Sequence, residues 1–144
     1  MNIFKEYFLD VITKKFFQFR GRAPRREFWY FMLFSLIFSV LFGVLGEKLG
    51  LFYMIPMQMP SMSETGEMTH IMQNIPINLL QTGFGLALFF PSLAITIRRL
   101  HDIGKSGWWY LIILIPLIGI LVLFAFFVMA SQEGENKYGE HPKN

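Results

Sequence analysis

Apolar residues in this chain gather into long runs separated by short charged stretches. Ile77 to Ile97 is 21 residues without an Asp, Glu, Lys, Arg or His, and Trp108 to Ala130 is 23 residues under the same test. Each exceeds the roughly 20 apolar residues that cross a hydrocarbon core as a helix. Phe28 to Leu45 is a third run, opened by Phe28, Trp29 and Tyr30, whose amphipathic rings suit the headgroup level. The pattern predicts transmembrane helices over 28–45, 77–97 and 108–130. Gly83, Gly85 and Ala87 let another helix approach the second closely, and Pro91 predicts a kink in it. Pro116 and Gly119 interrupt the third run near its middle. A re-entrant hairpin with two short arms is one reading, and a single kinked crossing is the one adopted.

Helical spacing reappears ahead of the first run. Over 2–19, Ile3, Phe4, Tyr7, Phe8, Val11, Ile12 and Lys15 or Phe16 fall on one face, with Lys5, Glu6, Asp10, Thr13 and Lys14 opposite. Such a helix lies in the membrane interface, or packs on the protein's own helix ends. Its long charged region and lack of a small-x-small site distinguish it from a signal peptide. The segment 46–76, broken by Pro56, Pro60 and Pro76, reads as a loop, and 131–144 as a polar tail. The fold class expected is all-α: a polytopic membrane protein forming one domain over 1–144, with three transmembrane helices and an N-terminal interfacial amphipathic helix.

Composition supports the embedding. Hydrophobic residues make up 53% of the chain and charged residues 16%, against about 25% charged in soluble domains. There is no cysteine, which excludes disulfides and thiolate chemistry. Ten of the 13 Lys and Arg residues lie in the first 27 residues and in the 98–107 turn. By the positive-inside rule those segments are cytoplasmic, with the 46–76 loop outside. The N-terminus is thus expected in the cytoplasm, and the C-terminus outside provided that the third run crosses completely.

Three stretches, FQFRGRAPRREFWYF (Phe17 to Phe31), PSLAITIRRLHDIGKSGWWYLIILIPLIG (Pro91 to Gly119) and GENKYGEHP (Gly134 to Pro142), resemble the bacterial inner-membrane family called domain of unknown function 805. The resemblance implies a small multi-span protein of the bacterial cytoplasmic membrane, without an established activity, cofactor or catalytic residue. It also links two basic-aromatic segments on one expected face. Glu27 and Asp102 are placed to pair with Arg22, Arg25, Arg26, Arg98 or Arg99 and fix the height of the spans.

The same face carries the candidate site: Arg20, Arg22, Arg25, Arg26, Arg98, Arg99, His101, Asp102, Lys105, Trp108 and Trp109. Positive potential beside the start of a helix suits a phospholipid headgroup, another anion or a membrane-protein partner. No nucleic-acid motif accompanies the basic cluster. His101 beside Asp102 suggests a general base, but neighbours on a helix diverge by about 100°, and no nucleophile stands at a telling spacing. Gly104-Lys105-Ser106 lacks the leading glycine of a phosphate-binding loop. No ionisable residue lies within the three runs, which disfavours charge-coupled transport. In the loop, Met54, Met57, Met59, Met62, Met68 and Met72, with His70 among them, supply soft ligands for Cu(I), the first four with His70 being the candidate set, or an adaptable apolar cover. The function expected is a non-enzymatic membrane component that needs no cofactor and binds anionic lipid or a protein partner, with homo-oligomers possible in principle and no nucleic acid. The alternative is a small oligomeric transporter or channel, or a Cu(I)-handling protein.

Overall fold

The computed structural model describes residues 2–63 and 65–142. Its element order is a π-turn (Lys5–Leu9) running into α1 (Asp10–Thr13), α2 (Arg25–Lys48), β1 (Phe52–Met62), β2 (Met68–Asn78), α3 (Leu79–Asp102), a 3-10 helix (Gly107–Leu114) and α4 (Ile118–Val128). The chain divides into two compact units, Met1–Ile37 with Ala87–Asn144, and Phe38–Leu86, and α2 and α3 each contribute to both. This is an α+β chain, not the all-α protein expected from the pattern. Among the described residues two helices, α2 and α3, are long and apolar enough to cross a membrane, not the three expected. Leu33, Leu36, Ile37, Val40, Leu41 and Val44 on α2, and Leu86, Phe89 and Phe90 on α3, are exposed. Helices at the centre of a water-soluble core would bury such residues.

The first unit departs from expectation at both ends. The N-terminal helix stops at Thr13 rather than Phe19, and its apolar face is spent on α2. Tyr7 stacks on Tyr30 with ring centroids 5.4 Å apart, Phe8 lies 5.7 Å from Phe31, and Phe4 meets Phe34 edge-on at 5.1 Å. Of the two readings of this helix, packing on the protein's own helix end is the one observed.

The expected third crossing, 108–130, is instead a hairpin of two short helices. Eight residues of 3-10 helix rise about 16 Å and eleven of α-helix about 16 Å, each roughly half of a 30 Å hydrocarbon core. Pro116 supplies no amide at the break, and Leu117 adopts a φ of 62°, costly for a branched side chain. The returning arm passes so close that a Cβ on Gly119 would overlap the Ile112 backbone carbonyl. Trp109 meets Phe126 across the hairpin at 5.6 Å, and α4 packs on α2 through Phe127 against Phe28 at 4.5 Å. Beyond α4, Arg22 donates to the Gly134 carbonyl at 2.6 Å, and the Gln132 amide to the Asp102 carbonyl at 2.9 Å. The tail therefore sits beside the N-terminal segment, and the third crossing on which a C-terminus outside depended is absent from the described residues.

In the second unit the expected 46–76 loop is a β-hairpin. Register runs from Phe52 opposite Asn78 to Met62 opposite Met68. Ser63, whose amide donates to the Glu67 carbonyl at 2.9 Å, and Gly66, at φ 82°, shape the turn. That bond makes the odd-numbered pairs the hydrogen-bonded ones. Pro56, Pro60 and Pro76 all fall on even-numbered pairs, where no amide is needed by the partner strand. Asn78 then caps α3 by accepting from the Gln81 amide at 3.1 Å and donates to the Gly43 carbonyl at 2.8 Å.

Because the chain has no native cysteine, Lys5→Cys and Glu140→Cys can be tested one at a time with a membrane-impermeant maleimide on sealed vesicles of defined orientation. Both are expected to react from the same side. Labelling from opposite sides would restore a complete third crossing.

Candidate functional site

Asp102 is the last residue of α3 and is fully buried. Its Oδ1 accepts from Arg22 Nε at 3.1 Å, and its Oδ2 from Arg99 Nη1 and the Ser131 hydroxyl. Arg22 lies in the irregular segment where Gly21, at φ 91°, turns the chain toward α2. The rest of its guanidinium is used up on backbone carbonyls. Nη1 donates to Gly134 and, at 3.3 Å, to Gly139, and Nη2 donates to Gln132 and Asp102. Asn136 and Gly139 close a small turn by exchanging backbone bonds of 3.1 and 2.9 Å, which presents those carbonyls.

Arg99 performs a second task. Its Nε and Nη2 donate to the Phe127 carbonyl at 3.2 Å, and Nη2 also to Met129, while Arg25 Nε donates to Met129 at 2.7 Å. These are carbonyls at the C-terminal end of α4, which no further helical turn can satisfy. Cations there also oppose the negative end of the helix dipole.

One turn away, Glu27 accepts from Arg98 Nη1 at 2.9 Å and Lys15 Nζ at 2.8 Å. Arg98 Nε and Nη2 are buried and lack a partner among the described residues. A buried donor left unpaired costs about 1–3 kcal/mol, so the Asp102 cluster, with Nε, Nη1 and Nη2 of both Arg22 and Arg99 engaged, is the better-satisfied half of the layer. Beside Glu27, a polar recess of about 240 Å³ is lined by Tyr7, Lys15, Arg22, Arg26 and Pro142, among others. Burial raises the Tyr7 phenol above its ordinary value, and the nearby Glu6 carboxylate adds to the effect.

The sequence-derived site thus divides in two. Arg22, Arg98, Arg99 and Asp102 are internal. His101 and Asp102 do not form a dyad: the carboxylate is engaged by arginines and Ser131, while His101 Nδ1 lies 3.3 Å from the Gly21 carbonyl and its ring stacks on Tyr138 at 3.8 Å. Arg20, Arg25, Arg26, Trp108 and Trp109 are exposed, and Lys105 Nζ sits 5.4 Å above the Trp109 ring. Ser131, Gln132, Gly134, Asn136, Tyr138 and Gly139 are partners that the pattern missed, because the tail has no periodicity. The motif GENKYGEHP was the available signal.

Arg25 and Arg26 stand between two openings. Toward the α2 shaft they join Trp29, Tyr30 and Leu33 around an apolar groove of about 260 Å³. Toward the tail they join Ala130, Ser131, Glu133 and His141 around a polar recess of about 370 Å³. Arg26 makes no hydrogen bond or ion pair among the described residues, and Arg25 only the bond to Met129.

The family model for a protein of unknown function, DUF805, matches residues 16–140. The chain belongs to the DUF805 family. It is 36% identical over 138 residues to the inner membrane protein YhaH of Escherichia coli strain K12, covering 96% of this chain and 97% of that protein. Inner membrane protein YhaI of the same strain is also 36% identical over 138 residues, covering 96% of each. The uncharacterized protein YiiR is 24% identical over 156 residues, covering 90% of this chain and 89% of its own length. No solved structure matches the chain. The Asp102 cluster and the tail turn thus lie within the DUF805 match, and YhaH and YhaI are inner membrane proteins.

Breaking the better-satisfied cluster tests the architecture. Asp102→Ala leaves Arg22 and Arg99 buried without their acid and is expected to destabilise the fold by about 3–5 kcal/mol, read by thermal or denaturant unfolding in micelles. Glu47→Gln, at an exposed residue, is expected to stay within about 0.5 kcal/mol.

Proposed function

We propose that this DUF805 protein is a two-crossing inner-membrane component with both termini in the cytoplasm and an apolar re-entrant hairpin, and that it binds an anionic phospholipid at Arg25 and Arg26. With α2 and α3 as the crossings, twelve of the 13 Lys and Arg residues fall on the cytoplasmic side and Lys48 alone on the other. That asymmetry is sharper than three crossings allow, and it favours this topology. The uncharged tip of the hairpin, with Leu114, Ile115, Leu117 and Ile118 exposed, suits the hydrocarbon edge.

One observation carries the lipid reading: two outward guanidiniums lie at the junction of a polar recess and an apolar groove. A phosphodiester matches the guanidinium fork. Acyl chain would follow Trp29 and Leu33 down the helix, while the headgroup fills the recess by Ser131 and His141. Glu133 in that recess opposes a bare phosphate but accepts from a hydroxyl, so a glycerol-type headgroup fits best.

Native mass spectrometry of protein purified in mild detergent tests this. Each basic charge beside an anionic leaflet contributes about 1 kcal/mol, so Arg26→Ala is expected to lower retained phosphatidylglycerol about fivefold, and Arg25→Ala with Arg26→Ala further. Lys14→Ala, at a surface i,i+4 pair with Asp10, is the control. Unchanged retention in the double variant, with the fold intact, overturns the reading.

A further inference from the structure

The methionines of the β-hairpin belong to a separate part of the molecule. Four of them, Met54, Met57, Met59 and Met62, lie on β1, and Met68 and Met72 lie on β2 with His70 between them. Side chains alternate across a strand, and directly opposed residues share a face. The register therefore sorts these residues by parity. Met57 and Met59, opposite Gln73 and Ile71, project from one face. Met54, Met62, Met68, His70 and Met72 project from the other.

On that second face, donors concentrate toward the turn. Met62 is paired directly with Met68, His70 lies opposite Pro60, and Met72 lies opposite Gln58. The Ser63 to Glu67 hydrogen bond makes Met62 and Met68 a non-hydrogen-bonded pair, the kind whose Cα atoms approach to about 4.5 Å with side chains closest. His70 follows Met68 at roughly 6.5 Å along the strand and Met72 follows at the same interval. Proline at position 60 leaves the space facing His70 without a long side chain. Met62, Met68 and Met72 are 71%, 73% and 66% exposed, which leaves their thioethers uncommitted to packing within the unit.

We propose that Met62, Met68 and His70, with Met72 as a fourth donor, form a binding site for a soft monovalent cation of the Cu(I) class. Thioether sulfur selects Cu(I), and imidazole is a compatible companion. The set differs from the run Met54, Met57, Met59 and Met62 that spacing along the sequence suggests. A strand places 57 and 59 on the face opposite to 54 and 62, so those four cannot surround one ion. Binding here requires no thiolate, in keeping with a chain that lacks cysteine. It is independent of the lipid reading, since it uses no residue of the arginine layer.

The test uses the full-length protein in micelles, titrated with Ag(I) as the redox-inert probe and then with Cu(I) under reducing, anaerobic conditions. Methionine methyl resonances report the site. The Met62, Met68 and Met72 methyls are expected to shift on Ag(I) addition, while those of Met57 and Met59 stay in place. Met62→Leu with Met68→Leu should weaken binding at least tenfold, His70→Ala should weaken it measurably, and Met57→Leu with Met59→Leu should leave it unchanged. Leucine preserves apolar bulk, so the hairpin is retained in each. Equal loss from the two methionine pairs, or methyl shifts on both faces, overturns the assignment, as does the absence of saturable binding.

Discussion

The buried carboxylate of Asp102 ties together three stretches of chain far apart in sequence. A protein surrounded by lipid gains little from hiding one apolar helix against another, since lipid tails are as apolar as leucine. Polar groups withdrawn from water then decide the arrangement, because each must find a partner or lose several kcal/mol. Asp102 meets this requirement with Arg22 from the segment before α2, Arg99 from its own helix and Ser131 from the tail. Those arginines in turn satisfy carbonyls at the end of α4 and in the tail turn. The short α4 can end where it does because Arg25 and Arg99 take over its last carbonyls.

That division of labour shapes the functional reading. A basic cluster beside a membrane looks uniform in sequence, yet here its members do different things. Arg22 and Arg99 are consumed inside the protein, where a ligand would have to displace Asp102 or backbone oxygens, and Arg98 is buried against Glu27 with Nε and Nη2 unpaired among the described residues. Arg26, and Arg25 with most of its donors, face outward at the boundary between polar and apolar openings. An amphipathic anion matches that boundary better than a purely polar one.

The hairpin shows why period and parity must be read together. Three prolines in thirty-odd residues read as breakers, yet all sit at even positions of the ladder, where a missing amide costs nothing. The turn around Ser63 and Gly66 was a usable signal, flanked by two runs of equal length. Parity also separates the methionines, which a count along the sequence cannot do. The failed third crossing has a different cause. Its composition and length are those of a span, and Pro116 with Gly119 allowed either a kink or a return. What settled the matter was contact: the close pass of Gly119 by Ile112, and the capture of the returning end by Arg25 and Arg99.

By itself the sequence determined the two long apolar helices, the charge asymmetry between segments, the clustering of arginines with aromatics, and membership in the family. Each follows from local composition, since hydrocarbon exposure and charge placement are properties of single segments. The expectation that Glu27 and Asp102 pair with neighbouring arginines was also legible, although not which arginine each would take. Tertiary structure alone decided which cations are internal, which segment the tail packs beside, and which methionines share a face. Those outcomes depend on partners distant in sequence: Arg22 and Gly139 are bonded across most of the chain, and no pattern within one segment encodes a contact of that range.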